Sequence, residues 1–242
     1  MPAAGGDGSR GVFLEIVDLD VTPLRELNQR LHDLRAGDNL TAWRVVNPKG
    51  RHNVAVGVDA PVSITIDGHV GYYCAGMNSQ AEIVITGNAG PGLAENMMSG
   101  VVRVKGSASQ YAGATGRGGL LVIEGDAAGR CGISMKGIDI VVRGSVGHMS
   151  AFMGQAGRLL VCGDAGEALG DSLYEARLYV RGTVAGLGAD CVERPLGDTE
   201  RADITELLAR AGIEGLEPED FRCYGSARQL YNFQADKFHA YG

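Results

Sequence analysis

Glycine stands at positions 68, 87, 106, 125, 144, 163 and 182, each 19 residues after the one before. A strict internal period constrains a chain more than any local motif. Each repeat must be one structural unit that buries its apolar face against its neighbours. Other columns keep the same register. Four residues before the glycines stand Ile64, Ile83, Val102, Leu121, Ile140, Leu159 and Leu178, and two before stand Ile66, Ile85, Val104, Ile123, Val142, Val161 and Val180. Two after come Val70, Ala89, Ala108, Ala127, Val146, Ala165 and Val184. Small residues fill the columns three and seven after the glycines, for instance Gly71, Gly90 and Gly147, or Ala75, Ala94 and Gly113. None of these columns admits a charge.

Apolar residues two apart, many of them β-branched, place alternate side chains on one face of a strand. A small residue after each strand permits a sharp bend, often with positive φ. Strand and bend repeated in this way predict an all-β fold, a right-handed parallel β-helix of 19-residue coils. Successive coils pair about 4.8 Å apart, so seven strands span roughly 30 Å. Leucine-rich repeats would need a fixed Asn or Cys, and a hexapeptide helix would show a sub-period of six. The columns show neither.

Residues 51–195 read as the β-helix, 1–50 as an N-terminal extension and 196–242 as a C-terminal helix with an aromatic tail. In the first extension, 12–20 is a strand. Thr22 then caps a helix that opens with Pro23, presents Leu24, Leu27, Leu31 and Leu34, and stops at Gly37. Residues 41–61, with Trp43 and Pro48, lead into an irregular first coil. Asp203 and Glu206 form a capping signal for a short helix ended by Gly212. The tail from Phe221 carries Tyr224, Tyr231, Phe233, Phe238 and Tyr241, and either caps the solenoid or docks on another subunit.

Charge narrows the partners. A net charge of −7 argues against nucleic acid and anionic membranes, and no run of 18 apolar residues exists to span a bilayer. Five cysteines without paired spacing and no secretion signal suit the cytoplasm. The 38 glycines, about twice the usual share, serve turns or tight packing.

Motifs for chemistry are weak. The clusters at 87–92 and 113–119 are followed by another strand, not by the helix that a dinucleotide site needs. Cys74 and Cys131 share an interior column three coils apart, roughly 14 Å by strand spacing, too far to share a cluster. Glu95, Asp171 and Asp190 share a column on separated coils and mark a solvated or interface face. No catalytic, cofactor-binding or metal-ligating residue emerges. The candidates are interface residues. If the aliphatic ladders point inward, the residues three before each glycine point out: Thr65, Val84, Arg103, Val122, Val141, Leu160 and Tyr179. So apolar a row is covered either by the terminal helices or by another subunit. We take Val84, Val122, Val141, Leu160 and Tyr179 as interface candidates, with His148, Phe152 and Met153 from the methionine-rich stretch 147–155.

The coils resemble the GXGXG β-helix domain that closes the large subunit of glutamate synthase and recurs as one of the subunits of formylmethanofuran dehydrogenase. The likeness covers about residues 52–195. The words CAGMNSQAEIVITGNAG (74–90), AENMMSG (94–100), ASQYAGATGRGGLLVIEGDA (108–127), RCGISMKGIDIVVRG (130–144) and GHMSAFMGQAG (147–157) are similar to the small glutamate-synthase-like subunit of methylamine–glutamate N-methyltransferase, or N-methylglutamate synthase. That resemblance implies a non-catalytic subunit of a heteromeric methyltransferase of methylamine metabolism. It would organise a glutamine-amidotransferase-like subunit and an FMN-binding, iron–sulfur subunit, and no catalytic residue carries over. Two alternatives stand beside it: the same scaffold role in a formylmethanofuran dehydrogenase or formyltransferase/hydrolase complex, and a stand-alone carbohydrate-active β-helix enzyme. The latter would need long loops, and the coils from 68 to 182 carry none.

Overall fold

A computed structural model describes residues 14–35 and 42–227. Two strands, β1 (Leu14–Asp18) and β2 (Ala42–Val46), flank the helix α1 (Leu24–His32). Seven strands follow at the predicted period: β3 (Ser63–Asp67), β4 (Glu82–Ile85), β5 (Val101–Val104), β6 (Leu120–Ile123), β7 (Lys136–Val142), β8 (Ala156–Val161) and β9 (Arg177–Val180). Each pairs in parallel with the next, so the fold is an all-β parallel β-helix.

The register is the sequence register. Ile64, Ile83, Val102, Leu121, Ile140, Leu159 and Leu178 are partners in turn, as are Ile66, Ile85, Val104, Ile123, Val142, Val161 and Val180. All 14 side chains are at most 1% exposed. Each is worth about 1.5–3 kcal/mol of gross apolar burial, set against the cost of ordering the chain. A third column, Val70 to Val184, is bridged coil to coil.

The repeat glycines have a different cause from the one expected. Of the seven, only Gly68 has positive φ. The others are glycine because nothing larger fits. A Cβ on Gly144 would lie 2.2 Å from Asp126 Oδ1 and 2.7 Å from the Gly125 carbonyl, and one on Gly182 would lie 2.3 Å from Asp164 Oδ1. From Gly106 on, the side chains in the way belong to a polar ladder one residue after each glycine, while Gly87 meets the Gly68 and His69 backbone. The amides of Asn88, Ser107, Asp126, Ser145, Asp164 and Thr183 donate to His69 Nδ1, Asn88 Oδ1, Ser107 Oγ, Asp126 Oδ1, Ser145 Oγ and Asp164 Oδ1, at 2.7–3.1 Å. Each coil thus satisfies a corner amide of the next.

Positive φ falls instead on the turn face that closes each coil. Alternate residues are left-handed there, as in Tyr73, Ala75 and Met77, or Met149, Ala151 and Met153. The alternation turns amides two residues apart to opposite neighbours. Ala94 donates back to the Cys74 carbonyl at 2.9 Å, and Asn96 donates forward to Ala114 at 2.8 Å. Small side chains at the middle position reduce the steric cost of this conformation.

The ends are capped. Leu27 and Leu31 of α1 are buried against the first coil. Contrary to expectation, Thr22 does not cap this helix: Pro23 holds the N-cap position and no side chain bonds there. At the other end β10 (Cys191–Arg194) is followed by α2 (Asp198–Ala211) and β11 (Arg222–Ser226), and β11 inserts antiparallel between β9 and β10. The start of the tail is therefore a cap. Gly212 ends α2 in the left-handed conformation, as expected. Asp203 and Glu206, however, lie within the helix, and the Glu200 carboxylate accepts from the Gly197 amide at 3.1 Å instead. Gly37, Tyr231, Phe233, Phe238 and Tyr241 lie outside the described residues. Among the described residues no helix is long and apolar enough to cross a membrane.

Candidate partner-binding face

The eight interface candidates divide between two faces. Val122, Val141, Leu160 and Tyr179 are 0% exposed. They lie beneath α2, in a second core with Ile204, Leu207, Leu208, Ala211, Ile213, Phe221 and Cys223. The chain covers this part of the outward row itself, so these four are corrected from partner contacts to core. Val84 is half-buried. His148 and Met153 are exposed on the turn face and Phe152 is half-buried there.

Charge holds the covering helix in place. Arg158 projects from β8 between α2 and the sheet, and donates to Asp139 Oδ1 and Oδ2 at 2.8 and 2.7 Å, to Asp203 at 2.9 Å and to Glu206 at 2.8 Å. The Tyr179 hydroxyl donates to Asp203 Oδ2 at 2.6 Å, and Arg210 reaches Asp139 at 2.6 Å. The hydrogen bonds that Arg158 donates to Asp139, Glu206 and Asp203 hold its proton far more tightly than in water, despite the desolvation. Such a network fixes where the helix sits, because each carboxylate is satisfied in one arrangement.

The turn face is open. Tyr72, Met77, Met98, Met153 and Tyr174 are exposed there, with exposed His148 and half-buried Phe152 beside them. Near its N-terminal end the Tyr72 and Tyr73 rings stack with centroids 5.5 Å apart. The Asn96 amide fixes Tyr73 by donating to its hydroxyl at 3.1 Å, and Thr115 donates to Asn96 Oδ1 at 2.6 Å. Beside the rings stands Glu95. From the Cβ position at Gly92, Glu95 Oε2 is 2.9 Å away and the Tyr72 and Tyr73 rings are each 3.5 Å away. Carboxylate and rings thus close over Gly92, which is buried beneath them. The sequence shows Glu95 only as one of a scattered acidic column. The rings beside it are placed by coil stacking, and no spacing rule would have found them.

Over 228 residues the chain is 60% identical to Protein GlxC of Rhizobium meliloti (strain 1021), across 94% of this chain and 100% of that relative. The chain belongs to the GlxC family. Neither a family profile nor a solved structure matches it.

The groups in this GlxC-family chain that could carry chemistry are mostly sequestered. All five cysteines are buried. Burial pushes the thiols of Cys74 and Cys131 up to about 12, and those of Cys162, Cys191 and Cys223 up to about 11. At neutral pH they are thiols, poor nucleophiles and poor metal ligands. Among the described residues no three His, Cys, Asp or Glu side chains converge as a metal site. What the geometry offers is surface.

Proposed function

We propose that this chain is a non-catalytic structural subunit of a multi-subunit, glutamate-synthase-like enzyme of the cytoplasm, namely N-methylglutamate synthase. That enzyme converts methylamine and L-glutamate to N-methylglutamate and ammonia. The glutamine-amidotransferase-like subunit and the subunit with FMN and an iron–sulfur cluster would dock on this chain, and the chemistry would be theirs. One observation carries the reading. The chain covers its apolar sheet row with α2, yet leaves large apolar side chains open along the turn face, from Tyr72 and Met77 to Met153 and Tyr174. Exposed methionines and aromatics at that density are typical of binding surfaces, and methionine adapts its shape to a partner. The similarity of the coil words to the small subunit of that enzyme supports the choice of complex.

The test is reconstitution. This chain, co-expressed with the two partner types, should purify with them as a flavin-coloured complex that forms N-methylglutamate. Met153→Asp should release the partners without changing the melting temperature of the free chain. Turnover by the isolated chain, or failure of the wild-type chain to associate, would overturn the proposal.

A further inference from the structure

A straight exposed stripe runs along the border between the turn face and the strands. Met98, Arg117, Lys136, Gln155 and Tyr174 stand 19 residues apart, one per coil, and all five are exposed. Stacking holds them in line. The amides of Arg117, Lys136, Gln155 and Tyr174 donate to the carbonyls of Met97, Gly116, Met135 and Gly154 in the coil before, at 2.7–2.9 Å. Neighbouring coils lie about 4.8 Å apart, so the stripe is about 19 Å long, with two adjacent cations between its apolar and aromatic ends.

Those two cations lack a counter-charge. Elsewhere the chain anchors its cations, as in Arg44 to Asp67, Arg143 to Glu124, Arg158 to Asp139 and Arg201 to Glu219. Among the described residues neither Arg117 nor Lys136 forms an ion pair or a side-chain hydrogen bond. Like charges directly opposite one another on neighbouring strands are destabilising. The free chain thus carries a repulsion that a neutral residue at either position would remove.

We propose that the subunit docking on the turn face lays an acidic element along this stripe, with carboxylates on Arg117 and Lys136 and apolar side chains on Met98 and Tyr174. The inference rests on the assembly reading above and names the charge of the partner's contact. A small oxyanion fits less well, because the amides of Arg117 and Lys136 are already bonded to the coil before and both side chains are exposed. Nucleic acid and an anionic membrane are opposed by the net charge of −7 and by exposed Glu167 and Glu175 on the same face. A protein surface brings its carboxylates only where the cations stand. Its apolar residues, seated on Met98 and Tyr174, exclude water from the charges between and strengthen the attraction.

Charge reversal tests this, with the reconstituted complex and the free chain. Wild-type association should weaken as salt rises. Lys136→Glu should weaken it at least about tenfold at low salt and remove most of that dependence, while Lys136→Arg should bind as the wild type does. In the free chain Lys136→Glu sets a carboxylate beside Arg117, so its urea midpoint should equal or exceed that of the wild type. Lost docking then cannot be misfolding. If the complex forms and Lys136→Glu leaves its affinity and salt dependence unchanged, this inference falls and the assembly reading stands. If the wild-type chain does not associate, both fall. Inorganic polyphosphate or single-stranded DNA that binds the free chain through Lys136, with association untouched by the reversal, would make the stripe a polyanion site and overturn the partner assignment.

Discussion

At the scale of single residues, the corner glycines from Gly106 to Gly182 recur at fixed spacing because each makes room for a side-chain acceptor from the coil before. Gly144→Ala would drive a Cβ against Asp126 Oδ1 and against the Gly125 carbonyl, and the second contact is backbone that cannot swing away. We expect a loss of about 1–3 kcal/mol in urea denaturation, the range of overpacked sites. An unchanged midpoint would mean that neighbouring coils lie farther apart than these distances. Ile123 lies in the interior ladder between Val104 and Val142, wholly buried. Ile123→Asp should abolish folding, since no cation is at hand for the buried charge. A soluble, fully structured variant, seen by circular dichroism, would mean that the ladder is not interior.

Between elements, electrostatics joins α2 to the sheet and gives stability a direction with pH. Glu124, on the sheet corner, accepts from Arg103 and from Arg143 at 2.9 Å. Arg103 also donates to the Ala211 carbonyl at the end of α2, at 3.0 Å. Burial alone would raise the Glu124 carboxyl, but the two arginines outweigh it and hold it below its ordinary value of 4.5. A depressed carboxylate contributes stability that is present above that value and is lost as pH falls through the lower, folded one. Glu124→Gln should therefore flatten the fall in urea midpoint below pH 4.5. Glu95 has the opposite sign. Its folded carboxyl is raised, so its contribution is lost as pH rises, and Glu95→Gln should stabilise the free chain at neutral pH. If both variants follow the wild-type profile, the two environments are misassigned.

For the whole molecule, coils that differ only in outward side chains behave as interchangeable rungs. Deleting residues 68–86 joins Asp67 to Gly87 and keeps every interior column aligned. The product should be a shorter folded solenoid with a smaller urea m-value, because less surface is exposed on unfolding. Removing one residue fewer would turn the next strand's aliphatic side chains from interior to exterior, and that chain should not fold. Size-exclusion chromatography and circular dichroism of the pair distinguish the outcomes.

The coil period, the two aliphatic ladders, the interior place of Cys74 and Cys131 and the left-handed end of α2 at Gly212 were all legible in the sequence. They depend on what recurs along one axis, and a fixed period aligns like with like before any contact is known. Tertiary structure decided what the period cannot encode. Whether α2 or another chain covers Val122, Val141, Leu160 and Tyr179 depends on where a segment outside the repeat folds back. Asp203 and Glu206 read as a helix start because capping is local, while their real partner, Arg158, is supplied by a strand far back in the chain. The cluster of Tyr72, Tyr73 and Glu95 over Gly92 needed three dimensions for the same reason. Two rings from one coil meet a carboxylate from the next only because the residue between them has no side chain.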